Sequence, residues 1–451
     1  MFQRKIYNHL LDWKNDSGGK TALLIEGARR VGKSTVVEEF ARNEYKTYLL
    51  IDFARVSNKI FEYFNDYKNS LDELFLLLST EYNVQLHNRE SLIIFDEVQK
   101  FPEAREMIKY LVADGRYDYI ETGSLISIKE NIGNIVIPSE ERKLKMYPLD
   151  FEEFCWATNN DQLSEYIKLC FKEGKALDNS LHKKAMFVLK QYLLVGGMPQ
   201  AVAAYVDNNL DFEKADIAKR DILTLYRDDI MKISDRYRSR VLTIFDQIPS
   251  FLSKHEKRVR LSDVSEGSTI DQYADTFFWL ENSMVCNECF ACKDPNVGLS
   301  INEDRSFVKC YMGDTGLLVS HAFDESELMN NSLYKQILND NLSINEGMFY
   351  ENLIAQMLVA NGHKLYFYTE YNQEKHRNDI EIDFIISNQS KLKYHIYPIE
   401  VKSGKRYKTT SLDKFNIKFN ERIEKSYIIH TGAYKEEENK IFIPAYMAMS
   451  I

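Results

Sequence analysis

Gly27-Ala28-Arg29-Arg30-Val31-Gly32-Lys33-Ser34 is the stretch on which the reading of the N-terminal part turns. The apolar run Ala22-Leu23-Leu24-Ile25 leads into it, and Thr35-Val36-Val37-Glu38-Glu39-Phe40 follows. That order predicts a buried strand, a glycine-bounded loop and then a helix, the context in which G-x-x-x-x-G-K-[ST] cradles phosphate. The two glycines let the backbone turn tightly, so that successive N–H groups point at an anion. A helix starting near Lys33 adds the positive end of its dipole. Gly27, Ala28, Arg29, Arg30, Val31, Gly32, Lys33, Ser34 and Thr35 are therefore the expected ATP-binding residues. Lys33 would bridge the β- and γ-phosphates, and the Ser34 hydroxyl would ligate Mg2+.

A second apolar run, Ser91-Leu92-Ile93-Ile94-Phe95, ends in Asp96-Glu97. This pattern predicts a buried parallel strand whose C-terminal end faces the nucleotide. Asp96 is the expected support for the metal, acting through water. Glu97, one residue on, is the expected general base that polarises the attacking water. The pair predicts hydrolysis rather than binding alone. Thr47–Asp52, Tyr117–Glu121 and Lys143–Tyr147 read as further strands. Thr122-Gly123-Ser124 reads either as a γ-phosphate sensor or as a plain turn. Arg142 reads either as an arginine finger or as a surface arginine, and Gln99 as a water-positioning group or a helix cap.

A chain of 451 residues, with 44% hydrophobic and 28% charged residues, has room for two or three soluble domains. The net charge of −10 excludes a protein that coats nucleic acid over its whole surface, though not one with a local basic groove. No apolar run reaches the length of a membrane span, and Met1-Phe2-Gln3-Arg4-Lys5 lacks the apolar core of a signal peptide. Six cysteines in a chain this long predict reduced thiols and a cytoplasmic setting.

The succession of the Gly27–Ser34 motif, Ile93-Ile94-Phe95-Asp96-Glu97-Val98-Gln99, Thr122-Gly123-Ser124 and Tyr147-Pro148-Leu149-Asp150-Phe151-Glu152-Glu153-Phe154 resembles a large prokaryotic group of AAA-like ATPases. Those proteins carry a C-terminal domain of unknown function. Gly196-Gly197-Met198-Pro199 and Gly313-Asp314-Thr315-Gly316-Leu317-Leu318 also resemble that group, so the likeness covers nearly the whole chain. It implies a RecA/AAA-like sheet with an additional strand. The expected fold class is α/β: a P-loop NTPase domain over 1–150, a helical region over 151–240, a winged-helix-like domain over 241–300 and a restriction-endonuclease-like α/β domain over 301–451.

Within the third segment, Thr269–Leu280 reads as an amphipathic helix resembling a recognition helix. Lys254, Lys257, Arg258 and Arg260 form a basic cluster before it, whereas Asp271 and Asp275 would face phosphates unfavourably. DNA and a protein partner both stay open for this face. Cys286, Cys289 and Cys292, with Cys310 downstream, have the look of metal-binding thiolates. On a strand, however, a three-residue step sends successive cysteines to opposite faces.

The second constellation lies near the C-terminus. A helix from Glu346 carries Glu351, an alternating strand carries Asp383, and the next carries Glu400 and Lys402 on one face. Charges alternating along an edge strand also give this pattern. An aspartate followed by Glu-x-Lys is the arrangement of the restriction-endonuclease-like fold. There Glu351, Asp383 and Glu400 would hold Mg2+, while Lys402 orients or deprotonates water. Lys405, Arg406 and Lys408 would meet a nucleic-acid backbone. Two functions follow. One is an ATPase, with cofactors ATP and Mg2+, whose nucleotide state controls a nuclease-like domain acting on DNA. The other is an ATP-dependent switch or scaffold for a protein partner, with an inactive nuclease-like domain. A homo-oligomer stays open, a membrane partner is not expected, and the Asp96-Glu97 pair disfavours a small-molecule kinase.

Overall fold

Five short segments of the N-terminal part pair side by side in parallel: β1 (Ala22–Gly27), β2 (Thr47–Asp52), β3 (Ser91–Asp96), β4 (Asp118–Gly123) and β5 (Glu141–Met146). A computed structural model describes residues 1–123, 138–259, 261, 273–324, 330–339, 346–374, 376–390, 393–404 and 406–451. These fall into two units, Met1–Tyr147 with Asn282–Met284, and Pro148–Glu281 with Val285–Ile451.

In the first unit the strand order is β2-β3-β4-β1-β5. β4 therefore stands between the strand that feeds the glycine loop and the strand that ends in Asp96, which is the additional strand that the resemblance implies. β1, β3 and β4 are buried at every residue, as expected of a parallel sheet covered on both faces. Alternation sorts their side chains. Leu23, Ile25, Leu92, Ile94 and Ile120 pack with the helices Ile6–Ser17 and Lys33–Glu44. Leu24, Leu49, Ile51, Ile93 and Phe95 pack with Asn58–Asp66, Leu71–Tyr82 and Pro102–Asp114. Because all the strands run the same way, the C-terminal ends of β1 and β3 open at the same edge of the sheet.

The second unit begins with helices, Phe151–Ala157, Asp161–Glu173, Asn179–Val195, Pro199–Asp207, Phe212–Met231 and Asp235–Ser253, over the segment that reads as helical. Its sheet comprises β6 (Cys286–Cys292), β7 (Glu303–Met312), β8 (Leu365–Asn372), β9 (Arg377–Ser390), β10 (Lys393–Lys402), β11 (Ser426–His430), β12 (Lys435–Glu437) and β13 (Lys440–Pro444). The order is β12-β13-β11-β10-β9-β8-β6-β7. The helix Glu346–Ala360 precedes an antiparallel meander of β8, β9 and β10, and the helix Thr410–Lys418 leads to β11, parallel to β10.

This topology corrects one expected boundary. A break at 300/301 would separate β6 from its antiparallel partner β7, and β6 also pairs in parallel with β8. Cys286–Cys292 is thus a strand of the C-terminal sheet rather than the wing of a separate domain, because its backbone groups are paired on both sides. The helix expected from Thr269 is described over Ala274–Asn282, with Asp275 exposed. Thr269, Asp271 and Arg260 lie outside the described residues, as do Ser124 and Lys405.

The two glycine-containing motifs of the middle region interlock. The Gly197 amide donates to the Asp314 carboxylate at 2.5 Å, and the Leu149 amide donates to the Gly197 carbonyl at 2.7 Å. Asp314 also caps the helix Thr315–Ala322 by accepting from the Leu317 amide at 2.9 Å. A Cβ on Gly197 would lie 2.0 Å from the Leu149 carbonyl oxygen, and one on Gly316 would lie 2.2 Å from that of Val195. The two motifs are joined by the Asp314 carboxylate and by close backbone approach at Gly196 and Gly316. Among the described residues, no helix is long and apolar enough to cross a membrane.

Candidate functional site

The loop after β1 adopts the conformation its glycines permit. Gly32 sits at φ 97° as the residue before the helix Lys33–Glu44, a backbone region that a side chain would strain. Gly27 is close against β5, where a Cβ would meet the Met146 carbonyl oxygen at 2.6 Å. Lys33 is buried, and its ammonium donates to the carbonyls of Gly27 and Ala28 at 3.0 Å each. Burial lowers the Lys33 pKa to about 8, with Glu97 and Asp96 acting to raise it and Arg29 to lower it. The ammonium therefore spans the mouth of its own loop, with the two carboxylate residues close enough to influence its charge.

The Ser34 hydroxyl donates to Asp96 Oδ1 at 2.8 Å. The Thr122 hydroxyl donates to the same oxygen from the end of β4. Thr122 thus belongs to the site by holding Asp96. Glu97 has left-handed backbone, φ 53°, which turns the chain sharply after β3, and its carboxylate accepts from the Gln99 side-chain amide. Gln99 accordingly holds the expected base. A hydroxyl and a carboxylate at the N-terminus of a helix are hard oxygen donors of the kind that Mg2+ takes, so Ser34 and Asp96 fit a nucleotide-bound magnesium.

Arg142 does not reach this edge. It is exposed on β5 and pairs with Leu23, four residues before Gly27 on β1, so it stands roughly 13 Å along the strand from the loop. Of two arginines that sequence reading missed, one holds this edge and the other braces the far end of β5. Arg4 is buried and donates to the carbonyls of Val31, at 3.1 Å, and Tyr147, at 2.6 Å, tying the loop to the end of β5. Arg105 makes a two-pronged pair with Glu141, the first residue of β5, both bonds 2.9 Å long. Neither has a local sequence signal, since each partner is far away along the chain.

In the second unit, Asp383 and Glu400 are brought to one face. β9 and β10 pair Phe384 with Ile399, and the same register continued sets Asp383 beside Glu400. Asp383 accepts from the Val401 amide at 2.8 Å, and the Lys402 ammonium lies 3.0 Å from Glu400 Oε2. Burial raises the Glu400 pKa to about 7, with Lys402 lowering it and Asp383 raising it.

Glu351 corrects the expected metal set. Its carboxylate is fully engaged with other groups: Lys309 lies 3.2 Å from Oε1, the Tyr311 hydroxyl donates to the same oxygen, and Lys257 pairs with Oε2. Burial opposes its charge, but Lys257, Lys309 and the Tyr311 hydroxyl hold its pKa down at about 2. Among the described residues, no group of three or more His, Cys, Asp or Glu side chains is placed to hold a metal ion. Glu351 is paired with two ammonium groups and a hydroxyl, where the expected set has it holding Mg2+. The cysteine run is not such a metal-holding group among the described residues. Cys286, Cys289, Cys292 and Cys310 are buried free thiols whose pKa values burial pushes up.

The basic cluster is likewise differently used. Lys257 turns inward to Glu351, and Arg258 pairs with Glu256 at 2.5 Å while lying over the Phe307 ring. Arg406 and Lys408 are exposed beyond β10.

Residues 19–155 match a family model described as an AAA domain. Residues 186–327 match a domain of unknown function (DUF8612), and 346–448 match another (DUF4143). No curated protein matches the chain. Among solved structures, it is similar to a Walker-type ATPase of Pyrococcus abyssi, at 15% identity over 71% of this chain and 96% of that one, with a TM-score of 0.40. It is also similar to a signal-transduction ATPase with a tetratricopeptide repeat sensor from Pyrococcus horikoshii, at 13% identity over 80% and 49%, with a TM-score of 0.29. A third is Cdc6p of Pyrobaculum aerophilum, at 8% identity over 75% and 94%, with a TM-score of 0.27. The glycine loop, the carboxylate pair and the inserted strand all lie within the residues that match the AAA domain.

Proposed function

We propose that the protein is a Mg2+-dependent ATPase that works as a molecular switch: ATP binding and hydrolysis in the first unit set whether the C-terminal domain engages a protein partner. The observation that carries the ATPase reading is the Ser34–Asp96 bond at the mouth of the glycine loop, with Glu97 following directly. Backbone N–H groups of Gly27–Ser34 would receive the phosphates. Lys33 would exchange its two carbonyl partners for phosphate oxygens, and Glu97, held by Gln99, would orient a water and take its proton. Ser34 and Asp96 would hold Mg2+, which would supply neutralisation of phosphate charge. ATP turnover measured on wild type beside Lys33→Ala tests this, since the variant loses the ammonium and should lose hydrolysis.

The nuclease reading has its own support. The order helix, three-strand meander, helix, parallel strand suits a restriction-endonuclease-like fold, with Asp383, Glu400 and Lys402 on neighbouring strands. Arg406 and Lys408 would then meet DNA. We favour the inactive form of that domain because Glu351 is taken up by lysines. DNA cleavage in Mg2+ that disappears in Asp383→Ala would reverse the choice.

A further inference from the structure

The acidic face of the C-terminal sheet carries ammonium groups among its carboxylates. Glu351, Asp383 and Glu400 are the carboxylates, with Lys257, Lys309 and Lys402 among them. Glu381 is a fourth acid, its pKa raised by burial, and His255 lies 3.9 Å from it. Asp383 acts on both Lys309 and Lys402, which places these groups in one electrostatic neighbourhood.

Lys309 is the telling member. It extends from β7, opposite Cys289, and its side chain is 1% exposed. Its ammonium lies 3.2 Å from Glu351 Oε1 and 5.1 Å from the centre of the Phe367 ring, which offers a second favourable contact. A buried ammonium without carboxylates would give up its proton, and here burial does lower the pKa, but Glu351, Asp383 and Glu381 outweigh it. Lys257 closes the other side of Glu351 from the chain after the helix Asp235–Ser253, and its side chain is 17% exposed. A buried carboxylate needs a partner; at Glu351 two lysines and a tyrosine already provide it.

We propose that Lys257 and Lys309 stand where a divalent cation would sit at Glu351, so that the cluster is neutralised by the chain's own ammonium groups and the domain works without a metal. The inference rests on the nuclease-like reading of this face. An entering divalent ion would add two positive charges beside Lys257 and Lys309, and it would have to displace an ammonium from Glu351. The missing occupant is supplied in cis.

Mn2+ binding followed by electron paramagnetic resonance on nucleotide-free full-length protein tests this. Wild type, Asp383→Asn, the double variant Lys257→Met/Lys309→Met and that double variant with Asp383→Asn added are compared. The expected result is the same Mn2+ stoichiometry in wild type and Asp383→Asn, with one additional site per chain in the double variant that Asp383→Asn then removes. A wild-type site lost in Asp383→Asn overturns the proposal, and so does a double variant with wild-type circular dichroism that gains no site. If the double variant does not fold, the wild-type comparison decides. ATP turnover on the same samples reports separately on the N-terminal reading, and DNA cleavage without bound Mn2+ would overturn the nuclease-like reading's inactive form while leaving the charge balance standing.

Discussion

The hydroxyl of Ser34 donates to the carboxylate of Asp96 at 2.8 Å, joining the first turn of the loop helix to the end of a strand 62 residues further on. The parallel sheet places them together: β1 and β3 end at the same sheet edge, with β4 and its Thr122 hydroxyl between. Asp96→Asn keeps an acceptor for both hydroxyls but weakens support for the metal. ATP turnover should fall about 10–100-fold while the melting temperature barely moves. A variant as active as wild type would remove Asp96 from the site.

Arg4 holds the loop from outside. Arg4→Ala leaves the Val31 and Tyr147 carbonyls without its guanidinium. Losing hydrogen bonds to a charged group costs about 1.5–3 kcal/mol. ATP affinity and thermal stability should both drop, and Arg4→Lys should restore only part of each, because one ammonium cannot reproduce the two-armed reach of the guanidinium. Calorimetry of ATP binding and a melting curve read both effects.

Much of the first unit is legible in the sequence because its signals are local. Gly27–Ser34, Asp96 and Glu97 announce themselves by residue type and spacing, and the apolar runs of β1 and β3 fix their burial. Arg4 and Arg105 carry no such signal; each is chosen by a partner distant in the chain. The C-terminal face shows the same divide. Asp383, Glu400 and Lys402 follow from strand alternation, but Lys309 on β7 and Lys257 ahead of the sheet meet Glu351 only through tertiary packing. The boundary at 300/301 fails for a related reason, since nothing local reveals that β6 pairs with β8.

The interlocked glycine motifs make a stability prediction. Asp314→Ala would orphan the buried Gly197 amide and uncap the helix Thr315–Ala322, costing about 2–4 kcal/mol. Asp314→Asn should retain part of the loss because its carbonyl oxygen still accepts. Gly197→Ala, with a Cβ driven to 2.0 Å from the Leu149 carbonyl oxygen, should yield little folded protein. Chemical denaturation of the first two and soluble yield of the third check these outcomes.

Glu400 makes a pH prediction. Its folded pKa of about 7 lies above the ordinary 4.5, so the folded state binds its proton more tightly than the unfolded state. That contribution to stability is present below 4.5 and is lost as pH rises to about 7. Glu400→Gln removes the dependence. Its stability relative to wild type should therefore improve between pH 5 and pH 8, on the order of 2 kcal/mol. Denaturant titrations at the two pH values test the sign; an improvement in the opposite direction contradicts the charge arrangement around Glu400.

The central claim is ATP hydrolysis driven by Glu97, and the most direct measurement is single-turnover hydrolysis of ATP in Mg2+ by wild type and Glu97→Gln. The variant keeps the Gly27–Ser34 loop, Lys33 and Asp96, so it should bind ATP as wild type does. Its hydrolysis rate should fall about 100- to 10,000-fold, the usual contribution of a general base. Wild-type turnover with that loss in Glu97→Gln is the predicted result. Equal hydrolysis by both proteins, or ATP bound by wild type and never hydrolysed, would contradict it.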